Sequence, residues 1–338
     1  MKNPIVLKGL IIQPQRSQRK LISGFVFFSA LSAAIYFFCI FFLLFFWGGC
    51  SRSRAPTRFE GCAMTIPYCV QVGDRLSDEQ TVQIQRLILD TFAEVNTIYN
   101  NWNPDSEVSR LGTLAAHQSI ELSEPLTAFL RFVGQVVART EGRFDPTVEP
   151  LQRVWKEHLR KGRVPERAQL APIAQATGWH HIHLEGSSFW KDDALTALDL
   201  GGVAKGYTVD LIAERLDQAG YASIYVEWGG EIRTIGQHPE GRAWKVGIEG
   251  LSAIELSGAA IATSGSYIQN WTITGMTYTH IIDPRTGEPL HNCPISSVSV
   301  IAPTCAEADA LATALMLFPS CAAAEAWASS QGIRSYIW

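Results

Sequence analysis

The sequence predicts an α+β fold: a single body of mixed sheets and helices behind an N-terminal membrane anchor or signal segment. Three observations lead there. Residues 21–47 contain no charged side chain, while the remainder mixes apolar and polar positions throughout. In some stretches of that remainder apolar residues recur at helical spacing, and in others they alternate. Helical and strand-like stretches follow one another without the regular βα alternation of a doubly wound sheet. The layout is therefore a segment over 1–50, a polar linker over 51–60 (SRSRAPTRFE) and one domain over 61–338.

The run Leu21–Trp47 exceeds the roughly 20 apolar residues that span a bilayer as a helix. Arg16, Arg19 and Lys20 precede it, and the positive-inside bias then keeps the N-terminus cytoplasmic and sends the body outward. The run ends Trp47-Gly48-Gly49-Cys50, which is similar to a bacterial lipoprotein processing site, although Trp47 is bulky and the run is long for a signal core. Lipidation at Cys50 and an uncleaved signal anchor are both open; each tethers the body to the cell membrane on its periplasmic, extracytoplasmic side. With the whole chain at −4 and the first fifty residues at +5, the remainder carries −9. Such an acidic body is a poor match for phosphate backbones, so no nucleic acid is expected as a partner. Five of the seven cysteines lie beyond Cys50 and none forms a CxxC pair, so a zinc site is not expected. Export would permit a Cys62–Cys69 disulfide, but the spacing does not fix any pairing.

Ser77 to Trp102 reads as the first helix of the body. Ser77-x-x-Gln80 is a capping box, and Val82, Ile84, Leu87, Ile88, Phe92, Val95 and Ile98 recur near helical spacing. A second helix is predicted from Ser123-Glu124-Pro125 to Thr140. Residues 160–172, polar and broken by Pro165 and Pro172, read as a surface connection. Leu195–Leu200 reads as a strand, followed by a Gly-Gly turn and a helix from Val203 to Ala219 stopped by Gly220. Ala222–Trp228, Trp244–Glu249, Gly258–Thr263 and Ser296–Ile301 are strand-like, and Trp271–Ile282 alternates across Thr274-Gly275 as a hairpin. Ala306–Leu317 reads as a helix.

Four segments are too polar or too glycine-rich for ordinary core. Tyr99–Arg110 (YNNWNPDSEVSR) follows a helix, and Phe144–Val148 (FDPTV) is a turn headed by an aromatic ring. Asp199–Gly206 (DLGGVAKG) sits at a strand-to-helix junction, where glycines admit close backbone approach and helix N–H groups suit phosphate oxygens. It matches neither GxGxxG nor GxxxxGK[ST], which disfavours a nicotinamide dehydrogenase and a P-loop enzyme. The fourth is His280–Gly287 (HIIDPRTG), with Asp309 and Thr313 downstream. The i, i+4 spacing puts the Asp309 carboxylate and the Thr313 hydroxyl side by side on a helix, hard oxygen donors that suit Mg²⁺. Taken singly, each segment also reads as a plain turn, a helix exit or a helix-start carboxylate.

In order and spacing together, these segments closely resemble the ApbE family of flavin transferases. The resemblance runs from about Cys62 to the C-terminus through YNNWNPDSEVSRL, FDPTV, DLGGVAKGYTVD, GGEIRTIG (229–236), TSGSY (263–267), HIIDPRTG and EADALATAL (307–315). It implies an enzyme that transfers FMN from its substrate FAD to a Thr or Ser hydroxyl of an acceptor protein, releasing AMP, with Mg²⁺ as cofactor. The acceptors it implies are extracytoplasmic parts of membrane redox pumps, such as a sodium-translocating NADH:quinone reductase subunit. Carried over residue by residue, it puts the metal on Asp309, Thr313 and the Gly202 carbonyl. FAD would be held by Met64, Trp102, Phe144, Asp145, Pro146, Asp199, Lys205, His280, Ile281 and Asp283. His280 is the candidate base, with Asp283 as its orienter or as an alternative base. This chain departs from the family at Met64-Thr65-Ile66, where Met-Gly-Thr is usual, and at Trp102, where Tyr is usual. Two rivals remain: an Mg²⁺-dependent FAD pyrophosphatase, and an exported FAD-binding lipoprotein without catalysis.

Overall fold

Seven strands taken in chain order form the central sheet of the computed structural model, which describes residues 55–248 and 253–338. They are Thr57–Ala63, Ile66–Val72, Ile224–Trp228, Glu231–Ile235, Ala260–Gly265, Ser297–Ala302 and Arg334–Ile337. Each bonds to the next and every neighbouring pair is antiparallel. With helices packed against this antiparallel sheet, the fold is α+β, as expected. All described residues belong to one unit, Ser53–Trp338. The segment expected to be an anchor or signal, with Cys50, lies outside the described residues, among which no helix is long and apolar enough to cross a membrane.

The first strand takes up residues 57–60, read from the sequence as linker. It is the sheet's edge, and of its seven residues only Phe59 is buried, so its polar sequence lacks the apolar alternation that marks a strand. Its partner register sets Cys62 opposite Pro67 and Cys69 opposite Glu60. No disulfide joins Cys62 to Cys69, and all five described cysteines are free.

Two helices, Ala204–Gln218 and Cys305–Leu315, lie against the middle of the sheet, and Asp78–Ile98 packs on the first of them. Asp78–Ile98 starts at the expected capping box, Ser77 accepting from the Gln80 N–H and Gln80 returning the bond. Of its expected stripe, Ile84, Ile88 and Phe92 are buried with Val70, Ile212 and Val226, Val95 is buried in the same cluster as Tyr99, and Val82 faces solvent. Each fully buried side chain of this size contributes about 1.5–3 kcal/mol. A second cluster, built on Phe129, Leu130 and Val133 of the helix Glu124–Arg139, holds Phe144, Leu200 and Val203 near the ends of the site loops.

Three local expectations need correction. Leu195–Leu200 is not a strand. Buried Lys191 spans its turn, its ammonium donating to the carbonyls of Gly112, Ala194 and Thr196 at 2.7–3.0 Å, and the Asp199 N–H bonds to the Pro146 carbonyl. These side-chain and loop partners replace a ladder. Within 160–172, residues from Arg167 onward enter a helix, Arg167–Gln175, started by a capping box of Glu166 with Gln169 and carrying Pro172 inside it. The helix Glu149–Arg160, with Leu151, Trp155 and Leu159 buried, was not expected at all. By contrast the hairpin Asn270–Ile273/Met276–Asp283 turns where Thr274-Gly275 predicts, with φ of 47° and 84°.

Candidate functional site

The floor of the site is made where the two sheet-packed helices meet. Gly206, in the first turn of Ala204–Gln218, lies so close to the other helix that a Cβ would overlap the Cys305 carbonyl. Across this contact Asp309 Oδ2 accepts from the Gly206 N–H at 3.1 Å. Thr313, one turn on, sits against Gly202, where a Cβ would meet Thr313 Oγ1 at 3.1 Å and Phe144 at 3.3 Å. The carboxylate, hydroxyl and Gly202 backbone expected to hold a metal are therefore adjacent. Their chemistry fits a hard divalent cation, since all three offer oxygen and no soft donor intrudes. Among the described residues no group of three or more His, Cys, Asp and Glu side chains is suited to a metal, so such a site would rest on this one carboxylate with neutral oxygens. Burial pushes the Asp309 carboxyl up, and Lys205 together with the Gly206 N–H opposes that.

Two loops rim the floor. In Phe144–Val148, Asp145 Oδ1 accepts from the Thr147 N–H and hydroxyl, and Oδ2 from the Trp179 N–H at 2.8 Å. Asp145 lines the cavity, but both oxygens are committed to shaping the turn. Asp199 Oδ1 accepts from the Gly201 N–H at 2.8 Å and from Asn101 at 3.3 Å, which ties DLGG to the YNNW segment.

The walls bring the remaining residues in. His280 lies on the strand Met276–Asp283, its Nδ1 3.3 Å from the Gln269 carbonyl. Burial lowers the pKa of His280; the Gln269 carbonyl opposes this and Lys156 adds to it. Lys205 donates to Glu231. Burial pulls the Lys205 ammonium down, but Glu231 and then Asp309 outweigh it and hold it above the usual lysine value. Trp102 is 72% exposed, with the Lys156 ammonium 5.5 Å from its ring centroid.

One cavity of about 260 Å³ is lined by Trp102, Phe144, Asp145, Pro146, Asp199 and Gly202 on its loop side. Lys205, His280, Ile281, Asp309 and Thr313 line the same cavity. Met64 lies instead in an adjoining cavity of about 810 Å³, which shares Trp102, Gly201 and Lys205 with the first. Asp283 lines neither. Arg285, two residues on, takes its carboxylate in a two-pronged pair at 2.9 and 2.7 Å, so Asp283 does not orient His280; the Gln269 carbonyl does. Sequence reasoning missed Gln152 and Lys156, which line the cavity one helical turn apart on Glu149–Arg160. Gln152 donates to the His280 carbonyl at 3.2 Å and accepts from Lys156 at 3.0 Å. The buried stripe Leu151, Trp155, Leu159 could have revealed that helix, but not what it faces. Arg143 and Ser264 also line this cavity.

The loops gathered here are the segments whose order marks the sequence, and the ApbE family's sequence model matches residues 62–337. The chain belongs to the ApbE family. Similar family members include the FAD:protein FMN transferase of Chlamydia pneumoniae, 41% identical over 302 residues, covering 88% of this chain and 96% of that one. The FAD:protein FMN transferase of Chlamydia trachomatis serovar D is 42% identical over 298 residues, covering 87% and 94%. Among solved structures, the apo flavinyl transferase ApbE of Pseudomonas stutzeri superposes with a TM-score of 0.75 at 28% identity, covering 83% of this chain and 90% of that one. The mixed fold described above is thus the ApbE fold.

Proposed function

We propose that this ApbE-family chain is an FAD:protein FMN transferase that moves FMN from FAD to a Thr or Ser hydroxyl of an acceptor protein. The observation that carries this reading is the convergence on one cavity of three kinds of group. They are the cations Lys205, Lys156 and Arg143, the oxygen donors Asp309, Thr313 and Gly202, and the histidine His280. A diphosphate needs the first two, and a hydroxyl nucleophile needs the third. The adjoining cavity, reached past Trp102, gives room for the remainder of a dinucleotide.

In the reaction the acceptor oxygen bonds to the FMN phosphorus, the bond from that phosphorus to the bridging oxygen breaks, and AMP leaves with the bridging oxygen. His280 suits the proton transfer. Its lowered pKa keeps it neutral near pH 7, and an Nδ1–H donated to the Gln269 carbonyl leaves Nε2 as the acceptor of the hydroxyl proton. Lys205, fixed by Glu231, offers positive charge beside the phosphates, and Trp102 offers a ring face for stacking. Asp309, Thr313 and the Gly202 carbonyl would hold Mg²⁺, which when bound supplies Lewis-acid neutralisation of the phosphate charge. Alignment and charge carry most of such a transfer, so it calls for no covalent intermediate on a protein side chain. The apolar run at 21–47 supports a body tethered outside the cytoplasmic membrane. That would bring it to the exposed domains of membrane redox pumps such as a sodium-translocating NADH:quinone reductase.

The test uses the full chain in detergent with FAD, Mg²⁺ and an acceptor domain bearing an exposed Thr, read by intact mass and by release of AMP. An FMN-sized mass gain on the acceptor, dependent on Mg²⁺ and matched by AMP, is expected. Free FMN and AMP with an unlabelled acceptor would replace this reading by a pyrophosphatase, and FAD bound but intact would replace it by a flavin carrier.

A further inference from the structure

Lys205 pairs with one buried carboxylate, Glu231, and lies beside a second: it directly precedes Gly206, whose N–H bonds to Asp309, and it lines the same cavity as Asp309. Glu231 opens the strand Glu231–Ile235 and is 1% exposed; its Oε1 accepts from the Lys205 ammonium, and its Oε2 is buried without a hydrogen-bond partner among the described residues. Asp309 is 3% exposed and feels the same ammonium. Its carboxylate nevertheless makes a single hydrogen bond among the described residues, from the Gly206 N–H to Oδ2, and no ion pair.

One cation cannot neutralise both carboxylates. If Lys205 turned to Asp309, it would occupy the only carboxylate of the oxygen-donor set on the cavity floor. Its pairing with Glu231 prevents this, at the cost of burying a second carboxylate with one oxygen unpartnered. Glu231 touches neither cavity, so a direct role toward a ligand does not explain it. We infer that Glu231 is a positioning residue that holds Lys205 off Asp309 and so keeps the Asp309 carboxylate open for a divalent cation. This rests on the metal reading given under the proposed function.

The experiment is Mn²⁺ binding to the full chain in detergent, followed by electron paramagnetic resonance without FAD or acceptor, so that no turnover is needed. Glu231→Gln keeps the side chain's size and one oxygen but frees Lys205, and Mn²⁺ affinity is expected to fall about tenfold or more. Adding Lys205→Met to Glu231→Gln removes the competing cation, and affinity should return to within about threefold of wild type. Lys205→Met alone should bind Mn²⁺ at least as tightly as wild type. A merely structural Glu231 would not be rescued by deleting its partner. Wild-type affinity in Glu231→Gln, a double variant as weak as the single one, or weakened binding in Lys205→Met would each overturn the inference. Failure of the wild-type chain itself to bind Mn²⁺ would instead overturn the metal reading on which it rests.

Discussion

Asp210 and Asp309 each bind the first turn of the other's helix. Asp210, on Ala204–Gln218, accepts from the N–H groups of Cys305 and Ala306 at 2.8 and 2.9 Å, while Asp309, on Cys305–Leu315, accepts from the Gly206 N–H at 3.1 Å. The first-turn N–H groups of a helix lack intrahelical partners and carry its positive end, so each carboxylate satisfies donors and meets a favourable field. The exchange also fixes position. Asp309 and Gly202 belong to segments about a hundred residues apart, and the crossed bonds set the contact that brings them together.

Asp210→Ala is accordingly expected to unfold more readily and to loosen the floor of the site. Burial pushes the Asp210 carboxyl up; Arg233 and then the two N–H groups oppose this, and Arg233 would be left with only the more exposed Glu214. Breaking a buried pair of this kind costs about 3–5 kcal/mol. Asp210→Asn, which keeps an acceptor oxygen, should lose less, about 1–2 kcal/mol. Urea denaturation of the three proteins checks the order, and equal midpoints for Ala and wild type would sink it.

The pH dependence of transfer should carry the signature of a buried base. Burial lowers the pKa of His280 below the ordinary histidine value of about 6.5. A base must be unprotonated, so the acid limb of the rate should be centred below the ordinary histidine value, falling about tenfold per unit beneath the His280 pKa. His280→Ala should lower kcat by about 10²–10⁴-fold with FAD binding retained. A wild-type acid limb centred at or above about 6.5, or a His280→Ala variant turning over normally, contradicts the assignment.

Thr65 is expected to be a point of strain. The turn Met64-Thr65 joins the first two strands with φ of 48° and 68°, left-handed values that cost an L-residue roughly 1–2 kcal/mol, and most of all a β-branched one. Glycine removes that cost but forfeits about 0.5–1 kcal/mol of chain entropy. Thr65→Gly should therefore raise stability by a net of about 0.5–1 kcal/mol. Because Thr65 lines the larger cavity beside Met64, FAD affinity should be measured with the urea midpoint. A lowered midpoint would show that the hydroxyl or methyl group matters more than the backbone.

Much of this was legible because it is local. Ser77 with Gln80, the buried stripe of Asp78–Ile98, the Thr274-Gly275 turn and the i, i+4 pair Asp309 and Thr313 all act within a few residues of themselves. Asp283 was misjudged although its partner is as near as Arg285, because a charge two residues away on a turn carries no periodic signal. Gln152, Lys156 and Glu231 were passed over for the opposite reason. Gln152 reaches His280 across 128 positions, and Lys205 meets Glu231 only after a helix and a strand have been laid side by side.

The apolar stretch Leu195–Leu200 shows the same limit and yields a final prediction. Leu198 and Leu200 are buried as a strand's would be, but the backbone is a loop pinned by the Lys191 ammonium, itself only 1% exposed. Lys191→Met matches the length and removes the three bonds from Nζ to main-chain carbonyls. Bonds from a charged donor are worth about 1.5–3 kcal/mol each, partly offset because no ammonium is then buried. A net loss of about 2–4 kcal/mol in urea denaturation is expected. Asp199 stands three residues beyond the pinned Thr196 and ties DLGG to Asn101, so FAD affinity should fall with stability. A variant that loses stability and keeps FAD affinity would separate the two, leaving the Pro146 carbonyl and Asn101 to hold Asp199 without the lysine's help.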